Sequence, residues 1–146
     1  MNFPPFDGLP ALASHPWAYP ALEVVHTVGI ALLLGSLVLV ELRVWGAGAE
    51  LSLQALARLA LPVTVAGFAL VVLSGLLLFA AQPNEMLANR TFLLKLGLVS
   101  LAGLNAAFFH ARGSLALNDG LARAQTVLSL GLWLAAIICG RFIAYT

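Results

Sequence analysis

The sequence predicts an all-α fold: an integral membrane four-helix up-down bundle led by a short interfacial N-terminal segment. Three observations carry that expectation. The chain has 146 residues and 62% of them are hydrophobic, more apolar surface than a soluble domain of this length needs. It holds 7 Lys and Arg and 6 Asp and Glu, and few of them fall inside the longest apolar stretches. Those stretches number four, and each approaches the ~20 residues a helix needs to cross a bilayer.

The same composition excludes several classes. A formal net charge of +1 with no basic stripe argues against a nucleic-acid partner. The single cysteine, Cys139, lies in an apolar run, has no second thiol to pair with, and suits a small buried hydrophobe. There is no glycine-rich phosphate loop, no HExxH metal pair and no catalytic serine motif. Any chemistry is therefore expected in the bilayer or at its surface.

Taken in order, the N-terminal stretch is not expected to be a signal peptide. It lacks a basic start, carries Asp7 and is broken by Pro4, Pro5 and Pro10. Phe3, Phe6, Trp17 and Tyr19 suit an interfacial segment with its rings at headgroup depth. The first span is expected at about residues 20–45, with Pro20 suited to a first helical turn. The second is expected at about 56–81, kinked early by Pro62. The third is expected at about 91–111, opened by Asn89 as a cap. The fourth is expected at about 121–145, opened by Asn118 or Asp119. Short connections make neighbours antiparallel within one domain. Arg43, Arg58, Arg112 and Arg123 flank one side, against Arg90, Lys95 and Arg141 on the other. The positive-inside bias then places both termini outside a bacterial inner membrane. Gly29, Gly35, Ser36, Gly67, Ser74, Gly97 and Gly103 are expected on packing faces, where small residues let membrane helices approach.

Ionisable groups in a span are expensive and are functional candidates by default. At ~1.5 Å per residue, His26 lies ~9 Å inside the first span, with Lys95 at a similar depth in the third and Arg141 a little shallower in the fourth. Glu23 sits nearer the surface. Glu23 and Glu41 are five whole helical turns apart and His26 is ~60° off that line, so the first span has one polar stripe, expected to face the bundle interior. Snorkelling of long stems to the surface accounts for Arg141 and is open for Lys95, but not for the short His26. At the other end, Glu41 and His110 lie near the boundary with Arg43, Arg58 and Arg112, and Glu41 is expected to pair with Arg58 or His110. Asn105 and Trp133 lie between the layers, Asn105 suited to a hydrogen bond between helices.

A histidine on a bundle-facing helix is a candidate haem ligand, with Lys95 and Arg141 suited to propionates. His26 and His110 are the metal-ligand candidates. They are ~20 Å apart along the normal, so they do not share one iron; a second axial ligand is expected from His15 or another protomer, or else two five-coordinate sites are needed. Other readings are a copper site from His15, His26 and Met86, a quinone or small-anion pocket at the His26, Lys95, Arg141 layer, and a proton relay through His26 and Glu41.

The run His26-Thr-Val-Gly-Ile-Ala-Leu-Leu-Leu-Gly-Ser-Leu, followed by Glu41-Leu-Arg43, resembles the first span of an uncharacterised family of small bacterial four-helix membrane proteins, a domain of unknown function. The resemblance continues through Gly67-Phe68, Ser74-Gly75-Leu76, Lys95, Ala102-Gly103-Leu104-Asn105, Phe109-His110, Trp133 and Gly140-Arg141-Phe-Ile-Ala-Tyr145. It covers nearly all of the chain after about residue 16, and departs where the family has Asp-Leu-Arg and this chain has Glu41-Leu-Arg43. More loosely, the chain is similar to copper-resistance D and cytochrome b561-like membrane bundles, a likeness of architecture. The resemblance points to His26, Lys95, His110 and Arg141 as the cofactor-binding positions. The expectation is a small membrane protein that binds haem b and transfers electrons within the bilayer. The alternatives are a non-enzymatic subunit of a larger complex, a small transporter or a quinone-pocket protein. Its partners are lipid and either further copies of itself or a larger membrane complex.

Overall fold

A computed structural model describes residues 8–146. The expected interfacial roles of Phe3 and Phe6, and the prolines Pro4 and Pro5 with Asp7, lie outside the described residues. Four long helices form the body: α2 (Ala18–Val44), α3 (Leu53–Ala81), α5 (Arg90–Arg112) and α7 (Gly120–Phe142), the last continued by a 3₁₀ turn at Ile143–Tyr145. All four are long and apolar enough to cross a membrane. Short helices fill the gaps: α1 (Pro10–Ser14), α4 (Pro83–Ala88) and α6 (Ser114–Leu117). An even number of spans puts both chain ends on one side, here the terminal side; the α2–α3 and α5–α7 connections define the loop side.

Local chemistry sets each helix end. The His15 imidazole accepts the N–H groups of Trp17 at 3.2 Å and Ala18 at 3.1 Å, holding the start of α2. Ser52 caps α3 by accepting from the Ala55 N–H. Asn89 caps α5, its side-chain oxygen accepting from Thr91 and Phe92, while its amide donates to the Ile143 carbonyl at 3.1 Å and ties α5 to the chain's end. Gly113, at φ +73°, ends α5 in the left-handed conformation that favours glycine. Of the two expected caps of α7, Asp119 serves, accepting from the Ala122 N–H at 3.0 Å, while Asn118 takes a positive φ in the turn before it. Pro62, expected to kink the second span, lies inside α3, which stays helical through it.

The bundle is two tight antiparallel hairpins, α2 against α3 and α5 against α7, joined mainly where α2 meets α7. The first hairpin closes on glycine: a Cβ on Gly67 would stand 2.6 Å from the Leu33 nitrogen and 2.8 Å from the Gly29 oxygen. Ser36 and Thr64 extend the seam with a 2.6 Å hydroxyl contact. The other expected packing glycines behave differently. Gly35, Gly97 and Gly103 have nothing within 4 Å of an added Cβ, so they open no internal contact. Between the hairpins, side chains bridge rather than backbones. Phe79 stacks on Phe92 at 5.8 Å, and Phe68 meets Trp133 edge to face at 6.2 Å. The buried core is small, built on Val40, Val44, Leu53 and Ala60. Large apolar side chains such as Leu59, Val65 and Leu104 are two-thirds or more exposed, an exterior suited to lipid contact.

Candidate functional site

Hairpins that touch along one line leave a space beside it. A cavity of about 1280 Å³ opens between them in the terminal-side half of the bundle, with walls from α2, α3, α4, α5 and α7. Leu33, Val99 and Trp133 are its deepest lining side chains by position along their helices, and Tyr19, Glu23, Glu85 and Arg90 are among those at its mouth. His26, Lys95 and Arg141, predicted from three separate spans, all line it.

The centre of the wall is a three-residue chain. The His26 Nδ1 lies 2.9 Å from the Ser74 Oγ, and its Nε2 lies 3.5 Å from the Lys95 Nζ. Ser74 has one hydroxyl proton, and it is directed to the Leu70 carbonyl at 2.5 Å. In the tautomer that suits this arrangement Nδ1–H donates to Ser74 and the Nε2 lone pair faces the lysine. Two glycines lie against this chain. An added Cβ would come within 3.4 Å of the His26 ring at Gly75, and within 3.4 Å of the Lys95 amine at Gly140. Arg141 is turned outward, its guanidinium 5.7 Å above the Tyr145 ring.

The remaining candidates sort differently. Glu23 is exposed on the same wall. Trp133 contributes its ring to the wall and to Phe68. His110 is exposed, sits edge to face with Phe109 and does not line the cavity. His15 is engaged by the α2 backbone, and Met86 lines the cavity without it. Among the described residues no three His, Cys, Asp or Glu side chains gather as a metal group.

The loop-side layer corrects one expectation. Glu41 pairs with neither Arg58 nor His110, because both of those side chains are exposed while Glu41 is buried. The ion pair found among the described residues is Arg112 with Asp119. Asn105 bridges helices as expected, donating to the Gln125 carbonyl at 2.9 Å. Around it lies a network absent from the sequence reading. Arg112 donates to Ser114 at 2.7 Å, Ser114 donates to the Gln125 side chain at 2.6 Å, and the Trp45 indole donates to Thr126 at 2.9 Å. The adjacent polar pair Gln125-Thr126 inside an apolar run was the available signal. Ser74 was legible only as a small packing residue; its role as the partner of His26 needs the fold. Of the interfacial aromatics, Trp17 is exposed as expected and Tyr19 turns to the cavity.

Comparison with family models, curated proteins and solved structures returned no match. The reading of the site rests on its geometry.

Proposed function

We propose that this chain is a membrane-embedded binding protein for a hydrophobic small molecule with an oxygen-bearing head, of the quinone class. The observation that carries the reading is the Lys95 amine in the cavity wall. An ammonium has three donors, and the hydrogen-bond contact found for this one is the His26 Nε2. Among the described residues its other donors meet no acceptor and suit a carbonyl head, and the apolar walls between the hairpins suit the ring and tail. The test is thermal unfolding of the detergent-purified protein with decyl-ubiquinone. At a ligand excess of about a hundredfold over Kd, binding adds about 2.7 kcal/mol of stability. The wild type is expected to shift, and Lys95→Met and His26→Ala are expected to lose the shift. An equal shift in all three would overturn the reading.

Haem b is a second reading, favoured by the Nε2 lone pair of His26. His26 would hold the iron and Lys95 would meet a propionate, with Arg141 reaching one only by turning in from Tyr145; neither His110 nor His15 lines this wall. Bound there, haem would supply one-electron chemistry. A reduced-minus-oxidised visible spectrum decides between the two. Sharp α and β bands that vanish in His26→Ala favour haem, and a flat spectrum of folded protein leaves the quinone-class reading. The same proposal places the chain in a bacterial inner membrane with the cavity opening outward, since Arg43, Arg58, Arg112 and Arg123 gather on the loop side.

A further inference from the structure

The loop-side half of the bundle holds one group that neither the cavity nor the Arg112 network uses. Glu41 is 6% exposed, and its Oε2 is buried without a hydrogen-bond partner. Its neighbours on α2 are the buried apolar side chains Val40 and Val44. From α7, the Ser129 hydroxyl stands beside the carboxyl group. One turn further along α2, the Trp45 indole is bonded to Thr126 and closes the α2–α7 seam.

The described charged groups at this end lie elsewhere, Glu50 among them, exposed in the α2–α3 connection. Arg43 on α2 donates to the Leu51 carbonyl. Arg58 on α3, Arg123 on α7 and His110 on α5 are exposed, and Arg112 is paired with Asp119. None of them is within ion-pair distance of Glu41, and no ionisable group of α1 lies at this end. An ionised carboxylate so placed would be an uncompensated buried charge inside a membrane bundle, a cost of several kcal/mol. A carboxylic acid removes that charge and turns one oxygen into a donor.

We infer that Glu41 is a proton-binding site, held as a neutral carboxylic acid, and that it is a carboxyl group of this chain open to attack by hydrophobic carbodiimides. The site is separate from the ligand cavity. His26 lies ~22 Å away along the same helix, and buried Leu33 stands between them with no polar partner. In the labelling reaction the acid O–H adds across one C=N bond of an N,N′-dialkylcarbodiimide. The carboxyl oxygen bonds to the central carbon and the proton goes to nitrogen. Acyl migration from oxygen to nitrogen then gives a stable N-acylurea that retains the whole reagent, with no leaving group and no change of oxidation state.

The experiment treats the full-length protein in micelles with dicyclohexylcarbodiimide, maps the adduct by peptide mass spectrometry, and compares infrared spectra of wild type and Glu41→Gln. The expected result is an adduct on Glu41 and not on exposed Glu23, Glu50 or Glu85, formed more slowly as pH rises. A protonated-carboxyl C=O band should be present in the wild type and lost in Glu41→Gln. Because Gln is a neutral isostere, that variant is expected to unfold at the wild-type temperature. Absence of the band in folded wild type overturns the proposal whether or not the reagent reacts. An adduct on the exposed glutamates and not on Glu41 overturns it as well. The band without an adduct upholds the bound proton and rejects the carbodiimide access.

Discussion

Gly67→Ala tests the close approach of α2 and α3. The added methyl would lie 2.6 Å from the Leu33 backbone nitrogen and 2.8 Å from the Gly29 carbonyl oxygen. Ordinary non-bonded contacts sit near ~3.5–4.0 Å, so the overlap is roughly 1 Å. Both obstacles are backbone, so no rotamer change relieves them; α2 and α3 must move apart. Overpacking of this kind costs about 1–3 kcal/mol, and separation also weakens dispersion contacts along the whole seam. The matched control is Gly97→Ala on α5, where an added Cβ meets nothing within 4 Å. In a helix interior that change is neutral or favourable by up to ~1 kcal/mol. Reversible unfolding in mixed micelles, followed by far-ultraviolet circular dichroism, measures both. The propensity gain is common to both variants, so the difference between them is expected to reach about 1–3 kcal/mol. Equal effects would refute the reasoning that the α2–α3 seam, and not glycine content in general, holds the first hairpin.

The other predictions concern single polar contacts. Arg112 donates to the Asp119 carboxylate and, with the Ala122 N–H, holds its pKa below the usual carboxylate range. The contribution is therefore full above the unfolded value near ~4 and is lost as pH falls through the lower native value; Asp119→Asn should flatten the acid limb of a stability–pH curve. Ser74→Ala removes the partner of the His26 Nδ1, with an expected loss of about 1 kcal/mol in unfolding and a redistribution of ring tautomers visible by nitrogen NMR. Trp45→Phe removes the indole donor to Thr126 and should lower stability by ~0.6–1 kcal/mol, with a Thr126→Val change adding little on top.

The spans were legible because lipid contact writes itself into composition. Expected residues 20–45 are found as Ala18–Val44, and 91–111 as Arg90–Arg112. The second helix begins at Leu53, earlier than hydropathy marks, because Ser52 caps it and Gln54 and Arg58 are polar residues that a helix end tolerates. The helices α4 and α6, of 6 and 4 residues, are too short to show a period. Depth arithmetic brought His26, Lys95 and Arg141 to one layer. It gave no help with lateral placement: His110 and Glu41 share a depth, yet one faces out and the other is buried. Which face of a helix meets a neighbour depends on the pairing into hairpins, and periodicity is faint when lipid-facing and protein-facing residues are both apolar.

That lateral placement separates the two cations of the terminal-side layer. Arg141 takes the snorkelling course, with its head outward over Tyr145. Lys95 has a stem long enough to do the same, and its neighbourhood holds exposed polar side chains such as Glu85 and Arg90 at the cavity mouth. Its amine instead lies 3.5 Å from the His26 Nε2, over the bare backbone of Gly140. A lysine that only anchored a helix would gain by reaching water, and a side chain at residue 140 would cost it nothing. Here the imidazole lone pair, oriented by Ser74 from behind, gives the amine a reason to stay inside. That contact distinguishes a polar site from a charge that merely marks depth, and it belongs to the cavity wall.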